Sequence, residues 1–191
     1  MMAEDTRRTG RFVEDRRKLY SCHDHNVQGR LPQIEEFLRQ GSTVAMATDA
    51  GTPGISDPAY RVVSLAIESG AEVTMIPGPS AVIMGLVVSG LPIHRFAFEG
   101  FPPVKKGKRL KRLGEMADYR GTIAYYTGPH HLHRLLTEML QVFGNRRCCV
   151  ARELTKIHEE IIRGTVSEMC ARYSDSCPKG EITLLVEGAS P

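Results

Sequence analysis

The stretch TVAMATDAGTPGISDPAYRVVSLAIES, residues 43–69, decides the fold because its character changes twice along the chain. Residues 43–48 are apolar and rich in β-prone types, which predicts a buried strand. The chain then bends sharply at Gly51 and Gly54. Residues 58–69 follow with apolar side chains at helical spacing, which predicts a helix. A strand, a bent loop and a helix in this order are typical of a protein with a parallel sheet.

The same pattern recurs downstream and predicts the class of the fold. EVTMI, residues 72–76, predicts a second strand, and PGPSA, residues 77–81, a second bent loop before an apolar helix. Alternating strands and helices indicate an α/β fold with a parallel sheet in the first half. Composition shifts to proline, glycine and basic residues after residue 98, which predicts two domains, 1–98 and 99–191. The second domain has predicted strands, a helix and short turns, so we expect a mixed sheet.

Length and composition exclude several classes of protein. The chain has 191 residues, of which 41% are hydrophobic and 25% charged, an ordinary mix for a globular protein with a real core. No apolar stretch approaches the ~20 residues of a membrane span, and the polar start predicts no signal peptide. Five irregularly spaced cysteines favour free thiols in a reducing cytoplasm over a disulfide framework or a zinc site.

Basic residues form two local clusters on a chain whose net charge is only +3. Clusters of this kind either contact a polyanion such as RNA or are simply solvated surface, and the sequence favours neither. The first cluster comprises Arg7, Arg8, Arg11, Arg16, Arg17 and Lys18. The second comprises Lys105, Lys106, Lys108, Arg109, Lys111 and Arg112, which we predict to bind RNA.

The two bent loops predict a ligand site in the first domain. Ligands of open parallel sheets bind at the carboxyl ends of the strands, and both loops follow predicted strands. Glycine lets backbone groups approach a ligand, and Asp49 can accept hydrogen bonds from a ribose hydroxyl or an amine. A nucleoside-like cofactor would fit there. The alternative is a pair of tight turns in which Asp57 and Ser80 cap the following helices.

Several ordered motifs together resemble one known family. Besides residues 48–63, the resembling segments are AEDTRRTG at 3–10, CHDHN at 22–26, IPGPSAVI at 76–83, SGLP at 89–92, FEGFPPVKKGKR at 98–109, ARELTKIHEEIIRGT at 151–165 and PKGEITLLVEG at 178–188. They cover nearly the whole chain and resemble the tetrapyrrole methylase family, in particular its members that methylate small-subunit (16S) ribosomal RNA.

The resemblance implies an S-adenosylmethionine-dependent methyltransferase. It implies a parallel-sheet N-terminal domain, a mixed-sheet C-terminal domain and a cofactor cleft between them. It also implies a homodimer, and methylation of the 2′-hydroxyl of a cytidine ribose in the small ribosomal subunit. The family has a strand and a glycine- and proline-containing turn ahead of the segment matching AEDTR, and a helical region beyond VEG. We expect this chain to lack both.

Site residues follow from the resembling segments. The expected cofactor-binding residues are Asp49, Ala50, Gly51, Thr52, Pro53, Gly54, Ser80, Ala81, Tyr126, Thr127, Arg152 and Glu153. Thr127 stands where the family often has a glutamate. An internal Arg–Glu ion pair is an equally good interpretation of Arg152 and Glu153.

Methyl transfer to a hydroxyl needs an aligned nucleophile and help in removing its proton. The candidates are Glu4 and Arg7, which would face the cleft, and His23 and His25 of CHDHN. For the histidines the alternative is a polar turn. A metal site is disfavoured because no further ligand has a suitable spacing. Two other functions stay open, a precorrin C-methyltransferase and an inactive RNA-binding fragment.

Overall fold

A computed structural model describes residues 1–14 and 18–190. The chain divides into two compact units, Met1–Ser80 and Ala81–Pro191. By this division the predicted boundary between residues 98 and 99 lies inside the second unit. The composition break that suggested it is a surface loop between a strand and a helix of that unit, so polar composition there marks solvent exposure.

The first unit contains a small sheet in which all three strands are parallel. Strand β1 lies in the centre between β2 and β3. Its elements in chain order are β1 (Met2–Ala3), α1 (Thr6–Thr9), β2 (Tyr20–Ser21), α2 (Val27–Arg39), β3 (Met46–Ala47) and α3 (Ala59–Glu68). Met2, Cys22, Val27, Ile34 and Val62 form its buried core. The parallel sheet predicted for this half is confirmed.

Two details of the first unit differ from the sequence-based expectation. A strand does precede Glu4, because Met2 and Ala3 form ladder hydrogen bonds on both sides and both side chains are buried. The predicted strand at 72–76 is wrong: no segment that the structure describes pairs with it. Met75 and Ile76 are 61% and 88% exposed. β-prone residues form a strand only where a neighbouring backbone offers partners.

The second unit is built on a five-stranded mixed sheet in the order β4-β5-β8-β6-β7. Strands β4 and β5 are parallel and the other pairs are antiparallel. Its elements are α4 (Ala81–Ser89), β4 (Phe96–Phe98), α5 (Lys106–Met116), β5 (Thr122–Thr127), α6 (Pro129–Phe143), β6 (Arg147–Arg152), β7 (Glu160–Thr165), α7 (Val166–Arg172) and β8 (Ile182–Val186). The predicted mixed sheet is confirmed.

Side chains alternate across this sheet and define its two faces. Along β6, Cys148 and Val150 pack in the cluster formed with α5, α6 and α7, whereas Cys149 and Ala151 pack in the cluster formed with α4. We call these the α5–α7 face and the α4 face. Cys148 and Cys149 are therefore core residues. No helix in the described part of the chain is long and apolar enough to cross a membrane.

Candidate functional site

The carboxyl ends of the three parallel strands bring together Glu4, His23 and Asp49, each from a different segment. Glu4 directly follows β1, and Asp49 comes two residues after β3. The backbone N–H of Asp49 donates to Glu4 Oε2 at 3.0 Å, and the backbone N–H of Asp5 donates to Asp49 Oδ1 at 3.2 Å. These bonds hold two carboxylates side by side at the edge where ligands of parallel sheets bind.

The arginines of α1 differ in what they contact. Arg7 is 88% exposed and pairs with Asp5 at 2.7 Å, so the hydrogen bonds from Arg7 hold the pKa of Asp5 well below its ordinary value. The pKa of Arg7 is raised for the same reason. Arg8, in contrast, places Nε 3.6 Å from Asp49 Oδ2. Sequence reasoning missed Arg8, since nothing in the spacing of α1 shows which of two neighbouring arginines turns toward β3.

His23 and His25 have different surroundings in the CHDHN turn. The backbone N–H of His23 donates to Asn26 Oδ1 at 2.8 Å, so the polar-turn interpretation describes the backbone. The ring of His23 does not share in this turn, because its Nδ1 is buried and has no hydrogen-bond partner among residues 1–14 and 18–190. His25 is exposed, with its ring centroid 6.0 Å from that of His23. No cluster able to hold a metal ion occurs in these described ranges.

The two bent loops of the first unit contact each other. Thr52 Oγ1 donates to the carbonyl oxygen of Pro79 at 3.0 Å. Gly51 has φ of +79°, and a Cβ there would stand 3.5 Å from the same oxygen. A Cβ on Gly78 would stand 3.4 Å from Thr52 Oγ1. Gly51 thus allows the left-handed turn, and a Cβ at either glycine would be in van der Waals contact with the other loop.

The capping interpretation is also correct for Asp57. Its carboxylate accepts from the backbone N–H of Gly54 at 2.8 Å and from that of Ala59 at 2.7 Å, which closes the loop and starts α3. Of the other predicted cofactor residues in this unit, Ala50 and Gly54 are exposed and Thr52, Pro53 and Ser80 are half-buried. Asp57 therefore shapes the loop, while the segment before it stays accessible.

In the second unit, Tyr126 and Ala81 lie close together on the α4 face. Ala81 begins α4, and the backbone N–H of the next residue, Val82, donates to the Tyr126 hydroxyl at 3.1 Å. The Tyr126 ring packs against Phe98 and Phe101, with centroid distances of 4.8 and 5.6 Å. The neighbouring Thr127 is buried at the end of β5.

Arg152 and Glu153 both form ion pairs, although not with each other. Arg152 Nε lies 3.1 Å from Glu160 Oε2, and its Nη1 donates to the carbonyl oxygen of Lys179. Glu153 pairs with Lys156 at 2.8 Å and accepts from the backbone N–H of Glu181. These contacts lower the pKa of Glu153, chiefly through Lys156. Arg152 follows Ala151 of the α4-face cluster and projects to the α5–α7 face, opposite Tyr126.

The second basic cluster separates into buried and exposed members. Arg109 is buried and pairs with Glu138 through two hydrogen bonds, which raises the pKa of Arg109. Arg112 is half exposed and pairs with Glu99 at 2.6 Å and Glu115 at 2.8 Å. Neither guanidinium is a simple surface charge, and the placement of Arg109 corrects its prediction as an RNA-binding residue.

The four lysines of that cluster do lie at the surface. Exposed side chains are found at Lys105, Lys106, Lys108 and Lys111, all in or next to α5. Of the first cluster, Arg7, Arg8, Arg11 and Lys18 are exposed. Arg16 and Arg17, also predicted to belong to it, lie outside the described residues.

One known family model matches residues of both units. The model of the Tetrapyrrole (Corrin/Porphyrin) Methylases matches residues 3–170. The chain belongs to the tetrapyrrole methylase family. The sequence resemblance to that family is thereby confirmed over most of the chain.

Curated relatives within the tetrapyrrole methylases carry one name. "Ribosomal RNA small subunit methyltransferase I" of Synechocystis sp. is 42% identical over 99% of this chain and 69% of its own length. The proteins of that name from Halalkalibacterium halodurans and Mycobacterium tuberculosis are each 41% identical, over 97% and 99% of this chain and 65% and 68% of their own lengths. The chain therefore spans about two thirds of the length of these relatives.

Solved structures support the tetrapyrrole methylase fold. The methyltransferase CobJ covers 98% of this chain, and the chain covers 83% of it, at a TM-score of 0.68 and 21% identity. Uroporphyrin-III C-methyltransferase of Thermus thermophilus, complexed with S-adenosyl homocysteine, gives a TM-score of 0.55 and 16% identity over 81% of this chain and 72% of its own. At such identities the likeness shows the fold alone, and the family makes this chain a methyltransferase.

Proposed function

We propose that this chain transfers a methyl group from S-adenosylmethionine to the 2′-hydroxyl of a cytidine ribose in small-subunit ribosomal RNA. The observation that carries the proposal is the 41–42% identity to relatives named as methyltransferases of that RNA. The ribose position and the base rest on the resembling motifs. The small ribosomal subunit would then be the partner, and the reaction would take place in the cytoplasm.

The first unit has features that suit such a cofactor. Gly51 and Gly78 carry no side chain where the two bent loops meet, so their exposed backbone groups are accessible to a ligand, while Thr52 hydrogen-bonds across the contact. Asp49 adds a carboxylate that could accept from a ribose hydroxyl or the amino group of the methionine part. We propose that residues 49–54 and Ser80 of the first unit hold these parts of the cofactor. In the second unit, Ala81, Tyr126 and Thr127 are the candidates that the resembling motifs supply. When bound, the cofactor supplies an electrophilic methyl group.

Arg152 and Glu153 are weaker cofactor candidates than Tyr126. Both already form ion pairs, and Arg152 lies on the α5–α7 face. If they serve the cofactor, they do so by holding the loop after β6 in place. Glu153 has φ of +50°, a conformation that its contacts to Lys156 and Glu181 stabilise.

Removal of the hydroxyl proton would fall to a group at the carboxyl edge of the first sheet. His23 is the better histidine, because its buried Nδ1 lacks a protein partner, whereas His25 is exposed. Glu4 is the second candidate, held in position by the Asp49 N–H. Arg7 would contribute a positive field rather than a proton acceptor, since a guanidinium stays charged.

The exposed lysines supply the substrate contact in this proposal. Lys105, Lys106, Lys108 and Lys111 can neutralise RNA phosphates and orient the strand without reading its sequence. A homodimer, which the resemblance implies, also belongs to the proposal. Ile83 and Val87 lie one turn apart on α4 and are 49% and 67% exposed, which suits an apolar contact between two copies.

The test is transfer of a labelled methyl group from S-adenosylmethionine to isolated small ribosomal subunits, with uroporphyrinogen as the parallel substrate. We expect label in the RNA, at a linkage that resists alkaline hydrolysis because its 2′-oxygen is methylated. Label in the tetrapyrrole would favour the precorrin-type alternative. RNA binding without transfer to either substrate would favour the inactive RNA-binding alternative.

Variants at the edge of the first sheet sharpen the test. His23→Gln should lower the transfer rate by about 10²-fold or more if the imidazole takes the proton. His25→Gln is the matched control and should leave the rate within about twofold, since its ring lies at the surface. Equal losses in the two variants would refute the role of His23, and Glu4→Gln would then be compared in the same assay.

A further inference from the structure

A pocket in the second unit is lined by Arg152 and by residues that are not assigned to the cofactor. Its volume is about 430 Å³, within the range of ~300–1,000 Å³ that small-molecule sites occupy. The polar lining consists mainly of Arg152, His158, Glu160, Arg172, Tyr173 and Lys179. These residues come from β6, β7, the end of α7 and the loops that follow, and the pocket opens on the α5–α7 side of the sheet.

Positive charge exceeds negative charge in this pocket. Arg152, Arg172 and Lys179 bring three cations, while Glu160 brings one carboxylate. Glu160 is shared, because Arg152 Nε lies 3.1 Å from one of its oxygens and Arg172 Nη2 3.2 Å from the other. The carboxylate therefore holds two guanidinium groups side by side and cannot neutralise both. Paired guanidiniums offer donors in the geometry that a phosphate group accepts.

A buried hydroxyl is a second, independent sign of a ligand. Tyr173 is 5% exposed, and its hydroxyl has no hydrogen-bond partner among the residues that the structure describes. Burial, and next the charge of Glu160, raise the pKa of Tyr173, against the opposing effect of Arg172 and Arg152, so the hydroxyl keeps its proton and can donate it. A buried polar group without a partner is costly, so a donor of this kind suits an acceptor that binds in the pocket.

The pocket differs in its residues from the lysine cluster and in its face of the sheet from Tyr126. Tyr126 and Ala81, two cofactor candidates of this unit, belong to the α4 face, whereas Arg152 projects to the other face. The lysines of α5 do not line the pocket. An RNA strand bound by α5 would meet a second basic site here, formed by other residues.

We propose that this pocket binds a phosphate group of the RNA backbone, held by Arg172, Arg152 and Lys179 with a hydrogen bond from Tyr173. The phosphate chemistry follows from the pocket, whereas the RNA as its source rests on the proposed function. A site of this kind positions the strand without reading bases. It also adds to the salt dependence of binding, because each neutralised phosphate releases counterions.

The experiment measures binding of a fluorescein-labelled single-stranded oligoribonucleotide by anisotropy over a series of salt concentrations. The variant is Arg172→Gln and the matched control is Arg147→Gln. Both arginines are about half exposed, at 53% and 56%, and each pairs with one glutamate. Arg147 lies at the opposite end of β6 from Arg152, so the control removes the same charge away from the pocket.

We expect Arg172→Gln to weaken binding at least tenfold and to flatten the log–log salt slope by about 0.7, the value for one single-strand phosphate contact. Arg147→Gln should change neither quantity. Tyr173→Phe should weaken binding about threefold while leaving the melting temperature unchanged or higher, because the hydroxyl it removes has no partner to lose. Equal effects of Arg172→Gln and Arg147→Gln, or no effect of either, overturn the proposal.

Two further measurements separate this inference from the proposed function. Ribose 5-phosphate should compete with the oligonucleotide in the wild type and not in Arg172→Gln, whereas ribose should not compete in either. If ribose 5-phosphate competes in this way but small subunits are not methylated, the phosphate pocket is supported and the proposed ribosomal substrate is refuted. If small subunits are methylated and Arg172→Gln binds the oligonucleotide like the wild type, the pocket proposal is refuted and the proposed function is supported.

Discussion

Arg109 and Glu138 form a buried ion pair that joins α5 to α6. Arg109 Nε lies 2.5 Å from Glu138 Oε2, and Nη2 lies 2.8 Å from Oε1. The side chains are only 4% and 8% exposed. The remaining guanidinium nitrogen, Nη1, donates to the carbonyl oxygens of Pro103 and Val104. One residue of a basic surface run thus anchors the loop before α5 to the body of the second unit.

Arg109→Ala should therefore reduce stability rather than RNA binding. The change leaves the Glu138 carboxylate buried without its partner, which costs about 3–5 kcal/mol in the free energy of unfolding. The neighbouring exposed Lys108→Ala is the control and should stay within about 0.5 kcal/mol. Urea denaturation measures both. A loss below about 1 kcal/mol for Arg109→Ala would show that the pair is replaced by water at little cost.

Replacement of Lys105, Lys106, Lys108 and Lys111 by glutamine should weaken binding of small-subunit RNA at least tenfold, about 1.4 kcal/mol or more. The salt slope should flatten by roughly 0.7 for each lost phosphate contact. S-adenosylmethionine affinity, measured by calorimetry, should not change. Removal of charge at Arg39 and Arg61, both exposed, is the control for a general field effect. If the loss per charge is the same in both variants, α5 is simply a solvated face.

Gly51→Val should weaken S-adenosylmethionine binding at least tenfold, since it puts a branched side chain 3.5 Å from the Pro79 carbonyl oxygen, where the two loops meet. Gly41→Val is the matched control. Gly41 has φ of +74°, close to the +79° of Gly51, so both variants bear similar backbone strain, but a Cβ at Gly41 meets nothing within 4 Å. Calorimetry of the folded variants decides, and equal affinities would refute the cofactor role of the loop.

Stability should fall in alkaline solution because of the two buried thiols of β6. Burial raises the pKa of Cys148 to about 12 and that of Cys149 to about 11, from an ordinary value of 9.0. The unfolded chain then releases these protons first, so stabilisation present below pH 9 is lost progressively as the pH rises toward 12. Urea midpoints over this range measure the effect. The double variant Cys148→Ala/Cys149→Ala should show a shallower decline, and an unchanged decline would assign it to other groups.

The chain should sediment as a dimer at tens of micromolar, and Ile83→Glu/Val87→Glu should sediment as a monomer. A charge on this face of α4 would have to be desolvated in an apolar contact between copies. Ile157→Glu, at a position that is 97% exposed, is the control and should leave the dimer intact. A wild-type monomer at this concentration would contradict the proposed homodimer.

Local sequence patterns predicted most elements correctly. The sequence predicts a helix at residues 58–69 and an apolar helix after residues 77–81, and these correspond closely to α3 and α4. The prediction of these segments is correct because hydrophobic periodicity indicates which face of an element is buried. The bent loop at 49–54 was also predicted correctly, since Gly51 and Gly54 permit the positive φ that the turn needs.

The failures have one physical cause, which is that pairing partners are remote in the chain. Met2–Ala3 is a strand because the backbones of β2 and β3 pair with it, at Tyr20 and Met46. Two residues are too few to show the hydrophobic alternation that predicts a strand. Residues 72–76 have the composition of a strand, but no described strand pairs with them.

The sequence by itself determined the class of the fold, the family and the residue types of the candidate site, because glycines, carboxylates and apolar periodicity act locally. Only the tertiary structure decided which charges are available to a ligand. Arg109 and Lys108 are neighbours in one run, yet the first is buried against Glu138 and the second is exposed. Arg152 and Arg172 both pair with Glu160 in a pocket that the spacing of these residues in the sequence does not predict. Coulomb interactions and desolvation depend on distances in space, and the fold alone sets those distances.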